Sequence, residues 1–220
     1  RDSSTSRGLG DVYKRQLVAS KFNLTTSRNQ VPLTSVKIEG EKVLIPENGK
    51  TTREAGWTLR NSRGQYILTL DEMEAGSLDT AEPVIEVEGD LILQLKKDTV
   101  SHLESQGPVI KKGTGTLTIR GEGSLELESA SGNAVCSDWN GGELDADHPS
   151  AVQLEGGNLT FTGSEFGIVD ETVELAGAQG TITVACASGA AVKTAHIKRE
   201  GSNSDKLELI GNKAVVVPES

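Results

Sequence analysis

Short runs of alternating apolar and polar residues recur along most of the chain, separated by residues rich in Gly, Asn, Ser and Asp. Alternation with a period of two is typical of a β-strand with one buried face. The clearest runs are 66–70, 90–95, 116–119, 158–162, 181–184 and 206–209. Since no useful stretch shows the period of an amphipathic helix, the sequence predicts an all-β protein.

The runs also recur at a nearly constant spacing. Their anchor residues lie 23, 26, 42, 23 and 25 positions apart, at Leu68, Leu91, Leu117, Leu159, Ile182 and Leu207. Two or three short strands per period of this length are typical of one coil of a β-solenoid, in which stacked coils bury a continuous apolar face. We therefore predict a single-stranded parallel β-helix (β-solenoid) of about six coils with a period of 23–26, the long step holding one coil plus an insertion of about 18 residues.

An antiparallel β-sandwich is the alternative, because its strands alternate in the same way. The constant period and an aromatic content of only 3% favour the solenoid, whose narrow core suits branched aliphatic side chains. Glycine permits the positive φ of tight corners. Eight glycines are therefore predicted at corners: Gly89, Gly113, Gly115, Gly121, Gly123, Gly156, Gly157 and Gly180.

The N-terminal part has a different character. Residues 6–16, SRGLGDVYKRQ, resemble a translated transposase-type sequencing adapter. We therefore expect residues 1–16 to be non-native in a metagenomic fragment, with further domains of a longer chain missing and no signal peptide visible. Residues 17–55 are then predicted to form an N-terminal lead-in or cap, and residues 56–220 the parallel β-helix, with an insertion loop near 136–150.

A solenoid needs caps, because an uncovered terminal coil exposes apolar core and unpaired strand edge. Residues 31–46 contain Val36, Ile38 and Leu44 and could supply a capping strand. Trp57 precedes the first predicted coil, and we expect it to cover the open end of the core.

Composition excludes several classes of function. The 220 residues carry a formal net charge of −10, which opposes binding to a polyanion such as nucleic acid. No apolar run in the sequence approaches the ~20 residues of a membrane span, so we expect no membrane insertion. Two cysteines cannot form a disulfide framework, and Cys136 and Cys186 are predicted to point inward as small core residues, too far apart to pair.

Three segments carry a resemblance to a known family. Residues 56–71 begin Gly-Trp-Thr-Leu and end Tyr-Ile-Leu-Thr-Leu-Asp, residues 89–95 read GDLILQL, and residues 115–125 read GTLTIRGEGSL. They resemble the repeated steps of bacterial right-handed parallel β-helices described as carbohydrate-binding domains of cell-surface proteins. This resemblance implies a β-helix at the cell surface or outside the cell, with a glycan or polysaccharide as partner. Where the family continues with Asn-Thr, this chain has Lys96-Lys97-Asp98-Thr99.

The predicted insertion is the most unusual stretch, since it concentrates acidic residues with one of only two tryptophans. Loops on a rigid scaffold are where binding groups usually lie. An exposed indole can stack on a sugar, and carboxylates accept hydrogen bonds from hydroxyls. The candidate ligand-binding residues are Asp138, Trp139, Asn140, Asp145, Asp147 and His148. A solvated loop whose tryptophan folds back over an apolar edge is the alternative.

Other chemistry is sparse. We expect no cofactor, although Asp138, Asp145 and Asp147 leave a calcium ion open as an alternative. The outward-facing acids, such as Glu86, Glu126 and Glu174, show no register that singles out a catalytic pair. The first hypothesis is thus a non-catalytic carbohydrate-binding module. The alternatives are a polysaccharide-degrading enzyme, either a lyase or a glycoside hydrolase, and a structural adhesin or stalk segment.

Overall fold

A computed structural model describes residues 30–141, 149–200, 207–212 and 215–216. These residues form β-strands and their connections. In chain order the strands are β1 (Ser35–Ile38), β2 (Glu41–Lys42), β3 (Thr51–Glu54), β4 (Trp57–Ser62), β5 (Gln65–Leu70), β6 (Glu74–Ser77), β7 (Ile85–Glu88), β8 (Leu91–Leu95), β9 (Val100–Ser105), β10 (Ile110–Lys112), β11 (Gly115–Gly121), β12 (Ser124–Ser129), β13 (Val135–Ser137), β14 (Ser150–Gly156), β15 (Asn158–Gly163), β16 (Ile168–Val169), β17 (Thr172–Gln179), β18 (Ile182–Ala190), β19 (Val192–Thr194), β20 (His196–Glu200), β21 (Leu207–Asn212) and β22 (Val215–Val216).

The strands belong to three sheets, and the chain visits the sheets in a fixed rotation. Sheet A has the order β2-β1-β7-β10-β13-β16-β19-β22, sheet B β20-β17-β14-β11-β8-β5-β4-β3, and sheet C β21-β18-β15-β12-β9-β6. From β5 onward each strand pairs in parallel with the strand three places later, so the described residues wind through about five turns. The predicted parallel β-solenoid is therefore confirmed, with about five turns in the described residues against the six coils predicted, and the antiparallel sandwich is wrong.

Equivalent positions of successive turns stack their apolar side chains in the interior. In sheet B one such ladder passes through Leu68, Leu93, Ile119, Leu154 and Leu175. Every member is buried. Neighbouring strands lie ~4.8 Å apart, which places the side chains of adjacent turns in van der Waals contact. Each turn thus buries its apolar face against the turns on either side.

The corner that follows sheet C is closed by buried hydroxyl groups. Ser105 accepts a hydrogen bond of 3.0 Å from the backbone N–H of Gly107. One turn later Ser129 stands in register with Ser105, donates to the carbonyl of Gly107 at 2.6 Å and accepts from the N–H of Gly132 at 2.9 Å. The two serines therefore satisfy backbone groups that the bend would otherwise leave without partners.

The anchor residues belong to two different sheets, which corrects the predicted insertion length. Leu117 pairs with Val152 of sheet B, whereas Leu159 lies on sheet C. The step from Leu117 to Val152 is 35 residues, against 26 from Leu91 to Leu117 and 21 from Val152 to Val173. The long step thus exceeds an ordinary turn by 9 to 14 residues instead of about 18, and the excess lies between β13 and β14.

The first described strands depart from the parallel pattern. β1 pairs antiparallel with β7 in sheet A, and β3, β4 and β5 pair antiparallel in sheet B. Val36 of β1 is fully buried and Trp57 of β4 is 5% exposed, both within the main core. Leu44 instead lies on the surface with 76% of its area exposed.

Positive φ occurs at five of the eight predicted corner glycines: Gly89, Gly115, Gly121, Gly157 and Gly180. The requirement is clearest at Gly121, where φ is 131° and a Cβ atom would clash with the backbone carbonyl of Leu95 in the preceding turn. The φ of Gly123 is not positive, but a Cβ atom at this position would clash with the backbone carbonyl of Lys96. Close stacking of turns thus adds a second reason for glycine at corners.

Replacing Leu117 by Ala should destabilise the protein strongly. Leu117 is 1% exposed in the middle of the stack, and truncating such a side chain typically costs about 2–5 kcal/mol through lost burial and a cavity. Leu44→Ala is the matched control and should change stability by less than about 0.5 kcal/mol, because Leu44 is exposed. Urea unfolding followed by circular dichroism measures both. Equal shifts of the two midpoints would contradict the stacked core.

Candidate functional site

The predicted site residues lie on the connection that leaves sheet A at Ser137 and re-enters the solenoid at Ser150. Asp138 and Asn140 are exposed there, and Trp139 is half-buried. The backbone N–H of Trp139 donates to Oγ of Ser137 at 3.2 Å, which fixes the start of the connection. The other three predicted residues lie outside the described residues: Asp145, Asp147 and His148.

An open groove of about 250 Å³ runs along the outer side of sheet A and has Asp138 in its lining. β1 contributes Lys37 to this groove, β7 contributes Glu86 and Glu88, and β10 contributes Lys111. These residues are far apart in sequence, and the stacking of β1, β7 and β10 brings them together. Of the predicted site residues that the structure describes, Asp138 therefore lies in a concave surface formed by several strands.

Charges of both signs face this groove. Nζ of Lys37 lies 2.8 Å from Oε2 of Glu86, and Nζ of Lys111 lies 3.4 Å from Oδ1 of Asp138. The hydrogen bond to Glu86 raises the pKa of Lys37 above its ordinary value. Paired charges offer hydrogen-bond donors and acceptors but largely cancel in the electrostatic potential of the groove. Such a surface suits a neutral polyhydroxylated ligand better than a polyanion.

Cys136 faces outward, so its predicted inward orientation is wrong. It stands in register with Lys111 and Val169 on the outer side of sheet A, yet it is only 8% exposed. The connection covers this face, since Gly141 lies against the side chain of Lys193, whose Nζ stands 5.5 Å from the centroid of the Phe166 ring. The start of the insertion therefore folds back onto the solenoid.

Both cysteines are free thiols, and their surroundings differ. Burial raises the pKa of Cys136 to about 11, and the nearby carboxylate of Asp138 acts in the same direction. Cys186 lies in β18, where the register shifts between Ala185 and Ala190, and its thiol is 2.7 Å from the carbonyl oxygen of Glu165.

A buried polar track runs along the inner side of sheet A beneath the insertion. It consists of Lys112, Ser137, Asp170 and Thr194, which occupy equivalent positions in four successive turns. Lys112 is 1% exposed, and Asp170 and Thr194 are fully buried. Our sequence reasoning missed this feature. Strand alternation could have found it, because Ile110 and Lys112 share one face of β10, and an inward Ile110 places Lys112 inward as well.

Sheet C carries a cluster of ionisable groups on its outer face. Nε2 of His102 lies 3.5 Å from Glu104, and Nδ1 lies 3.5 Å from Glu126 of the next turn. Glu128 stands in register with Glu104. The outward acids are therefore more clustered here than the sequence indicated. Within the described part of the chain, no group of three or more His, Cys, Asp or Glu side chains is placed to hold a metal ion.

Comparison with known protein families, with curated proteins and with solved structures finds no match to this chain. Among the described residues there is also no helix that is long and apolar enough to cross a membrane. The class of protein therefore follows from the geometry alone. The chain is a three-sheet parallel β-solenoid with a groove beside one inserted connection.

Cys136 should react slowly with iodoacetamide in the folded protein. In a Cys186→Ser variant, alkylation of the remaining thiol at pH 8 should be roughly a hundredfold slower than in urea. The thiolate is the nucleophile, and the pKa rises from 9.0 to about 11 on folding. The rate should then increase with pH up to about 11. A Cys136→Ser variant, in which Cys186 is the remaining thiol, gives the alkylation rate of the other cysteine for comparison. Equal alkylation rates for Cys136 in the folded and the unfolded protein would contradict its burial.

Proposed function

We propose that this chain is a non-catalytic carbohydrate-binding module that works at the cell surface or outside a bacterial cell. The observation that carries the proposal is the groove along sheet A, whose lining combines Asp138, the residue before Trp139, with the Lys37–Glu86 pair. The resemblance of residues 56–71, 89–95 and 115–125 to surface carbohydrate-binding β-helices supports the same class and location.

The groove has the chemical groups that sugar recognition needs. A sugar presents hydroxyl groups that both donate and accept hydrogen bonds, and carboxylate and ammonium groups complement them. An indole ring supplies a flat apolar surface for the carbon face of a pyranose. Trp139 is half-buried and directly follows Asp138 in the chain, so its indole ring is the candidate for this surface. The rigid stack of β1, β7 and β10 holds the remaining groups before binding, which lowers the entropic cost.

A second candidate function is a polysaccharide-degrading enzyme, and the outer face of sheet C favours it. His102 lies between Glu104 and Glu126, and a histidine flanked by carboxylates can act as a general acid or base. The groups stand on two adjacent turns of an exposed sheet, where a polymer could lie along the solenoid. A structural adhesin or stalk segment is the third candidate, for which neither surface would bind a glycan.

Affinity electrophoresis through gels that contain host or plant polysaccharides should show retardation of the protein. Trp139→Ala should weaken binding by about fivefold or more, because loss of an aromatic anchor typically costs more than ~1 kcal/mol. Asp138→Asn should weaken it as well. Glu122→Gln is the matched control, since Glu122 forms a comparable exposed ion pair with Lys97 at 3.1 Å and should bind like the wild type.

The same polymers, recovered after incubation, separate the three functions. Retardation with unchanged polymer length supports the binding module. If the wild type shortens the polymer and the His102→Gln variant leaves it at full length, the protein is the enzyme instead. A folded protein that shows neither retardation nor cleavage would leave the structural segment as the remaining function.

A further inference from the structure

The buried polar track contains a lysine and an aspartate in direct contact. Nζ of Lys112 lies 2.9 Å from Oδ2 of Asp170, and their side chains are 1% and 0% exposed. The two residues belong to turns separated by one intervening turn, whose equivalent residue is Ser137. Two steps of ~4.8 Å separate their backbones, and the long side chain of Lys112 spans most of this distance.

The contact is poorly satisfied as an ion pair. Among the described residues, neither carboxylate oxygen of Asp170 has a hydrogen-bond partner, although Nζ of Lys112 lies 2.9 Å from Oδ2. Nζ of Lys112 instead donates to Oγ of Ser150 at 2.6 Å and to the carbonyl oxygen of Gly113 at 3.3 Å. A buried charge pair stabilises a protein only when further hydrogen bonds complete it. The arrangement thus holds an amine against a carboxyl group that has no hydrogen-bond donor.

We propose that Lys112 and Asp170 condense into an intramolecular amide, an isopeptide bond between Nζ and Cγ. A proton first passes from the ammonium to the carboxylate, which leaves a neutral amine and a carboxylic acid. Nζ then attacks Cγ, and a second proton of Nζ passes to the departing hydroxyl group. The new bond is Nζ–Cγ, the broken bond is Cγ–O, and one water molecule is released. The reaction needs no oxidant, metal or co-substrate, and the net charge of the chain is unchanged.

Two features of the site favour this condensation. Folding holds the reacting atoms together, and well-oriented intramolecular reactions reach effective concentrations of about 10⁵–10⁸ M. Burial also keeps away the water that would hydrolyse the amide, and it favours a neutral product over a charged pair. The bond would link β10 covalently to the segment after β16 and would close a loop that contains the whole insertion.

The intact full chain, measured by mass spectrometry under denaturing and reducing conditions, should be lighter than its sequence mass by one water. Cleavage after glutamate should release a cross-linked product that joins residues 105–122 to residues 166–171. Fragmentation of this product should place the link at Lys112 and Asp170. The cross-linked peptide distinguishes the isopeptide from water loss within a single segment, such as succinimide formation.

Three variants sharpen the test. Lys112→Met should abolish the loss of water, whereas Lys111→Met, which changes the neighbouring outward-facing lysine, should retain it. Asp170→Asn should form the same amide with loss of ammonia, so its final mass should equal that of the cross-linked wild type. Wild-type protein with the full sequence mass and no cross-linked peptide would overturn the proposal, and this measurement depends on no variant folding.

Discussion

The whole structure depends on the packing of each turn against the next. A turn of three short strands has too little apolar surface to be stable alone, and its inward side chains become buried only when equivalent positions stack. The ladder from Leu68 through Ile119 to Leu175 shows the consequence, because a branched aliphatic residue recurs at the same place in five successive turns. Corners are less constrained, so length can change there while the register of the strands is preserved.

The insertion follows this rule and is also tied to the interior. It begins after Ser137, a member of the buried polar track, and ends at Ser150, whose backbone N–H donates to Oε2 of Glu171 at 3.0 Å. Thr194, one turn beyond Asp170, bonds the carbonyl of Glu171 at 2.9 Å. Polar groups thus replace aliphatic ones where the stack must hold both ends of a long connection. The candidate glycan site and the proposed isopeptide bond share strand β10, which contributes Lys111 to the groove and Lys112 to the bond.

Alternation and period were sufficient to predict the parallel solenoid, because stacked turns impose a repeating pattern on the inward residues. They could not assign a run to a sheet, since sheets B and C present the same aliphatic alternation, and Leu159 was therefore aligned with Leu117 in place of Val152. The outward orientation of Cys136 was missed for another reason. Cys136 follows the inward Val135, so alternation turns it outward, but its apolar character and its burial are those of a core residue.

The candidate site was predictable only in part, because its groups come from strands that lie far apart in the sequence. Asp138 was found through the composition of the insertion, but Lys37 reaches the groove only because β1 adds to sheet A in the antiparallel direction, opposite Glu86 of β7. An antiparallel strand has no place in the repeat, so no period predicts its register. The N-terminal strand therefore does more than cover an apolar edge. It ends the parallel stack and supplies one wall of the groove, so the proposed glycan binding would depend on the same contact that closes this end of the core.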